Sequence, residues 1–231
     1  MANQFPETHW SQILEIGNPE HPRHAEHLER LVHRYWKPLY YYVRAMREVS
    51  SGDAEDVTQD FFEMLLRRDA FATLTPDRGS FRGFLKTALR RFVVSGERKR
   101  IVRETQVLRF GELDRGLIEI LRGGHITPDE AFDRAWARDV LEEMTSRVKA
   151  ALDIEGKPKL FEIFREYTLD GTAGVTYETL AKKHGLSLDD VRNGLRSVRE
   201  RAREMLNDIL RDYLFPGEDL EAELRFVLSR K

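Results

Sequence analysis

Apolar side chains return every three to four residues through most of this chain, in blocks separated by short breaks. Leu28, Leu31, Val32, Tyr35, Leu39 and Val43 form one stripe, and Val57, Phe61 and Leu65, with Phe62 and Leu66 beside them, form a second. Phe81, Phe84, Leu85, Ala88, Leu89 and Phe92 form a third. A period near 3.6 puts each set on one side of a helix and leaves the other side to water. Leu, Glu, Arg and Ala dominate and β-branched runs are few, so the expected fold class is all-α, with two small helical domains joined by a linker.

The breaks divide the chain. Ser50, Ser51, Gly52 and Asp53 separate the first two stripes and offer an N-cap, while Pro76 and Gly79 mark a loop over 73–80. Ser80 can cap the next helix. The spacing predicts helices over 24–46, 54–68 and 81–100, which make a first domain over 1–103. Gly111, Gly116, Gly123 and Gly124 punctuate 104–127, which reads as a linker with one short helix near 117–121. Thr127-Pro128-Asp129-Glu130 is a helix start: a hydroxyl cap, proline in the first position, acids in the first turn. Phe132, Trp136, Val140, Met144 and Val148 continue that helix. Further helices are expected over 160–169, 176–184 and 187–214, giving a second domain over 128–214. Leu220, Leu224, Val227 and Leu228 mark a final helix within 215–231.

Composition removes several function classes. Charged residues make up 34% and hydrophobic ones 41%, which is a folded composition and not a disordered one. Cysteine is absent, so disulfides and thiolate metal sites are excluded, in keeping with a cytoplasmic location. Residues 1–10 lack a basic segment followed by an apolar one, so no signal peptide is expected. No apolar stretch approaches the roughly 20 residues that span a bilayer, so no membrane partner is expected. His21, His24 and His27 recur three apart without a nearby acid cluster, and no metal site is expected there. The carboxylates of 53–63 have no accompanying histidine, metal motif or glycine-rich phosphate loop, so neither catalytic residues nor a cofactor are expected.

The net charge of −2 conceals a segregated pattern. Residues 48–69 hold seven acids and two bases, whereas residues 78–103 hold nine bases and one acid. Neighbouring segments of opposite sign suit two different partners. Asp56, Gln59, Asp60 and Glu63 share one helix face, a carboxylate ridge suited to an arginine-rich protein surface. In the basic segment, Arg82, Lys86, Arg90 and Arg91 interleave with Phe81, Phe84 and Phe92, and Arg98, Lys99, Arg100 and Arg103 extend it. Such a mixture suits single-stranded nucleic acid, with charges on phosphates and an exposed ring stacked on an unpaired base. Solvated helix faces and core phenylalanines are the plainer alternative.

The most specific local pattern spans 177–205. Ala181 lies four residues before Gly185 and Val191 six after it. A helix-turn-helix needs a small residue where its helices cross, a glycine in the turn and an apolar residue anchoring the second helix. Ser187 can cap that second helix, whose outer side carries Arg192, Asn193, Arg196 and Arg199. Arg and Asn are the side chains that read guanine and adenine edges in the major groove. Asp189 and Asp190 favour the helix dipole but would repel phosphates unless they point aside. An ordinary capped helical hairpin has the same outline.

Four stretches in order resemble one family. YWKPLYYYVR (35–44), DAEDVTQDFFEMLL (53–66), FRGFLKTALRRFV (81–93) and YETLAKKHGLSLDDVRNGLRSVRERAREML (177–206) are similar to segments of the extracytoplasmic-function group of sigma-70 RNA polymerase sigma factors. FPETHWSQIL (5–14) and RGSFRGFL (78–85) resemble a subgroup seen in planctomycetes and related bacteria. The resemblance implies a region 2 bundle over 1–103 and a region 4 helix-turn-helix over 128–214. It implies that Asp53, Glu55, Asp56, Gln59 and Asp60 face the β′ clamp helices of core polymerase. It places a flipped minus-ten base at the loop 70–80, with Arg82, Phe84, Lys86, Arg90, Arg91, Arg98, Lys99 and Arg100 along the promoter strands. It gives Arg192, Asn193, Arg196 and Arg199 the minus-thirty-five element, docks the second domain on the β flap, and adds an anti-sigma factor or a regulatory kinase as partner. Gly194 and Ser197 depart from the arginines common at those positions, and the acidic pair 189–190 from the usual small residues or threonine.

Two other readings compete. A dimeric helix-turn-helix regulator needs no polymerase contact and binds a palindrome. A protein-binding adaptor keeps the fold without DNA. The acidic ridge argues against the first and the basic helix against the second.

Overall fold

The computed structural model describes residues 13, 15–46, 50–67, 70–71, 80–95, 126–171, 174–214 and 219–229. The short helix expected near 117–121, Arg98, Lys99, Arg100, Arg103 and most of the loop 70–80 lie outside the described residues. Among the described residues every regular element is a helix: α1 (His24–Ala45), α2 (Ser51–Arg67), α3 (Phe81–Ser95), α4 (Pro128–Ile154), α5 (Pro158–Phe164), α6 (Tyr177–His184), α7 (Leu188–Arg211) and α8 (Leu220–Ser229). No described helix is long and apolar enough to cross a membrane.

Two compact units form. The first contains residues 1–139 and 211–231, the second residues 140–210. The first unit is held together by aromatic burial around Tyr35, which is 1% exposed. Its ring meets Phe81 of α3 edge-on at 5.3 Å, Phe132 of α4 at 6.5 Å and Tyr213 at 6.2 Å. Trp136 of α4 then packs edge-on against Tyr213 at 5.5 Å and against Phe226 of α8 at 6.0 Å. The start of α4 and the chain after α7 therefore share the core of α1–α3. That core includes Leu39, Phe61, Leu65, Leu85, Leu89 and Phe92, all inward positions of the three sequence stripes.

The second unit packs the rest of α4 with α5–α7 through Val148, Phe161, Phe164, Leu180, Val191 and Leu195. The helix expected over 160–169 has two parts: α5 continues into a π-helical turn at Arg165–Leu169. Such turns widen a helix by one residue and re-aim its side chains.

Hydroxyl caps fix several helix starts. Ser50 Oγ accepts from the Asp53 backbone N–H at 3.1 Å and donates to the Asp53 carboxylate at 2.6 Å. This draws Ser51 and Gly52 into the first turn, so α2 begins at Ser51, earlier than its apolar stripe predicts. Thr127 and Glu130 form the same reciprocal pair at the start of α4.

Tyr35→Ala should destabilise the first unit by about 3–5 kcal/mol, the usual range for truncating a buried aromatic. Urea unfolding followed by circular dichroism measures this, and a loss under 1 kcal/mol, below the range for such a truncation, would contradict the role given to Tyr35.

Candidate nucleic-acid interface and the acidic helix beside it

α2 carries the acidic ridge. Val57, Phe61 and Leu65 are buried, which turns the intervening polar positions outward. Asp53 and Glu55 are exposed, and Asp56, Gln59 and Asp60 are half-buried. Gln59 Nε2 reaches Glu63 Oε1 at 3.5 Å, one turn along. Asp53 has a second task, because its carboxylate accepts the Ser50 capping bond.

α3 divides its residues sharply. Phe81, Leu85, Leu89 and Phe92 are buried. Phe84 is half-buried and stacks on Phe81 at 5.8 Å, so two of the three phenylalanines are core and the third is partly open to solvent. Arg91 is exposed. Arg82, Lys86 and Arg90, spaced four apart, line one side and meet acids of the same chain. Arg82 pairs with Glu223 of α8 at 2.5 Å, and its guanidinium lies 3.9 Å over Trp136 and 5.0 Å over Phe226. Lys86 pairs with Asp133 at 3.1 Å and Asp129 at 3.5 Å. Arg90 pairs with Asp129 at 2.8 Å and donates to the Tyr42 hydroxyl at 3.1 Å. The Tyr42 hydrogen bond, with the negative charge of Asp129 beside it, raises the Arg90 pKa above its ordinary value.

In the second unit, α6 and α7 are joined by a tight turn. Gly185 is left-handed, with φ 66° and ψ 42°, and its N–H donates to the Ala181 carbonyl. The Leu186 N–H donates to that same carbonyl at 3.0 Å. Ser187 caps α7: its hydroxyl donates to Asp190 at 2.6 Å and accepts from the Asp190 N–H at 3.1 Å. The Ser187 hydroxyl, and then the Ser187 backbone N–H that donates to the same carboxylate at 3.2 Å, hold the Asp190 carboxylate below its usual pKa. Asp189 pairs with Arg192 at 3.1 Å. Both acids are thus engaged at the helix start.

Val191, Leu195 and Val198 are buried, and Arg192, Asn193, Arg196 and Arg199 all lie exposed on the outer side of α7. Arg196 pairs with Glu200 at 3.2 Å. Arg199 donates through Nε and Nη2 to Thr168 Oγ1, each at 3.3 Å, and lies 5.2 Å over the Tyr167 ring. Thr168 and Tyr167 belong to the π turn, and Glu166 in the same turn pairs with Lys183 of α6 at 2.7 Å. The Lys183 bond is the first reason that the Glu166 pKa is lowered. Gly194 has a packing reason: a Cβ there would lie 2.6 Å from Leu160 Cδ2. The stripe pattern gives no sign of Tyr167, Thr168, Asp129, Asp133 or Glu223 as partners of these arginines and Lys86, because the partners come from other segments.

Residues 31–100, which include most of α1 and all of α2 and α3, match the family model of Sigma-70 region 2. This supports a sigma-70 family member with a non-enzymatic role in RNA polymerase binding and transcription initiation. No curated protein and no solved structure matches the chain. Within the matched residues lie both the acidic ridge of α2 and the basic face of α3.

Two outcomes follow for the second unit. Gly194→Ala should change its stability by no more than about 1 kcal/mol, because the helix propensity gained, about 1 kcal/mol, is set against a small shift of the half-buried Leu160 side chain, and thermal unfolding measures this. Ser187→Ala should lower its melting temperature near neutral pH. A carboxylate with a depressed folded pKa stabilises above its unfolded value, about 3.9, and that contribution is lost as pH falls through the folded value. The gap between wild type and Ser187→Ala should therefore narrow in acid. A gap that widens below about pH 4, the unfolded carboxylate value, contradicts the assignment.

Proposed function

We propose that this chain is a sigma factor of the extracytoplasmic-function group, similar to the planctomycete-type subgroup, that directs core RNA polymerase to promoter DNA in the cytoplasm. The observation that carries this reading is the charge division inside the region 2 match: an acidic α2 beside a basic, aromatic α3. In this account Asp53, Glu55, Asp56, Gln59 and Asp60 engage the β′ clamp helices. Arg82, Lys86, Arg90 and Arg91, with Arg98, Lys99 and Arg100, hold promoter strands, and Phe84 offers a ring to an unpaired base. Arg192, Asn193, Arg196 and Arg199 read the minus-thirty-five element from a helix-turn-helix of α6 and α7, in a domain that also docks on the β flap. An anti-sigma factor or a regulatory kinase controls access.

The mechanism is one of binding energy. Each extruded base costs a few kcal/mol. Polymerase contacts, phosphate contacts and base stacking, worth about 1–3 kcal/mol per base, offset that cost. Two recognition modules become one strong binder only when polymerase sets their spacing.

Run-off transcription with core polymerase and genomic fragments tests the reading directly. Wild type should yield discrete transcripts that core enzyme alone does not. Asp56→Lys with Asp60→Lys should abolish capture of core polymerase. Arg90→Glu with Arg91→Glu should retain capture and lose transcription. Equal promoter affinity with and without core polymerase would instead indicate a helix-turn-helix regulator that acts without polymerase.

A further inference from the structure

The basic face of α3 is occupied by the chain itself. Its three cations at one-turn spacing meet three carboxylates from two other segments: Asp129 and Asp133, also one turn apart on α4, and Glu223 on α8. The match includes more than charge. Arg82 lies over the rings of both Trp136 and Phe226 and is bonded to Glu223, with side-chain exposures of 15% for Arg82 and 18% for Glu223. Lys86 is 19% exposed and lies 5.5 Å over the Phe132 ring. A phosphate backbone approaching Arg82 and Lys86 meets carboxylates already in place.

We infer that α8 and the first turns of α4 form an intramolecular cover that competes with nucleic acid for Arg82, Lys86 and Arg90. The carboxylates stand where phosphate oxygens would bind, and the Trp136–Phe226 pair confers specificity for a guanidinium that phosphate alone lacks. This rests on the proposed DNA role of α3. Because the cover is tethered, its effective concentration is fixed by the chain, independent of protein concentration. DNA affinity is then reduced by the fraction of molecules in which the face is open.

The test uses the full chain without polymerase and two readouts. One is fluorescence anisotropy with a labelled DNA duplex bearing a premelted bubble. The other is amide hydrogen exchange of residues 219–229. Glu223→Gln should tighten DNA binding about tenfold, as expected if about a tenth of molecules are open. Phe226→Ala, which changes no charge, should also tighten it, whereas Glu221→Gln on the same helix should leave it near wild type. Saturating DNA should speed exchange across 219–229 in wild type. Unchanged affinity in both Glu223→Gln and Phe226→Ala would overturn the cover, and so would unchanged exchange at DNA saturation. Equal tightening by Glu221→Gln with none by Phe226→Ala would reduce the effect to net charge and also overturn it. Arg91→Glu separates the two levels. If it fails to weaken binding in wild type and in Glu223→Gln, DNA does not use α3, and the underlying reading falls with the cover. If it weakens binding while the cover variants do nothing, the α3 reading stands and the cover alone falls.

Discussion

The first unit depends on the burial of Tyr35. One ring on α1 contacts α3 through Phe81, the start of α4 through Phe132 and the chain after α7 through Tyr213. Aromatic pairs contribute about 0.5–1.5 kcal/mol each beyond their buried area. Several pairs sharing one residue couple segments that are far apart in sequence. That coupling makes α1–α3, the first turns of α4 and α8 one body, and it brings acids of α4 and α8 to the basic face of α3.

Much of the local structure was legible in the sequence, because helical period and hydroxyl caps act over a few residues. α1 and α6 lie where their stripes and caps place them, α3 starts at Phe81 behind Ser80 as expected, and Gly185 takes the left-handed turn that the spacing of Ala181 and Val191 requires. The start of α2 shifted because Ser50, outside the apolar stripe, caps it. What pattern reading could not supply was pairing across sequence distance. Nothing in the periodicity of 128–139 or 220–228 indicates that Asp133 would meet Lys86, or Glu223 meet Arg82. Those pairs follow from how the aromatic surfaces close, which is a tertiary outcome.

The acids flanking α7 show the same limit at shorter range. By sequence, Asp189 and Asp190 look like an obstacle to phosphate. In the structure Asp190 completes the Ser187 cap and Asp189 pairs with Arg192, so both are bound to neighbours on their own helix. A charge count treats these carboxylates as free field, whereas their hydrogen bonds give them a local structural use.

Gly194 has a consequence for how this protein can diversify. A Cβ there would meet the end of the half-buried Leu160 side chain, so a small residue needs a shift of that side chain and a large one must displace it. Its neighbours Arg192, Asn193 and Arg196 are exposed and can be exchanged singly at little cost to folding. Under the proposed reading, the α7 surface therefore has an uneven alphabet. Three positions are open to independent change, Arg199 is tied to the π turn, and position 194 admits a side chain only as far as Leu160 gives way. Shifts in sequence preference would accumulate at 192, 193 and 196 long before they reached 194.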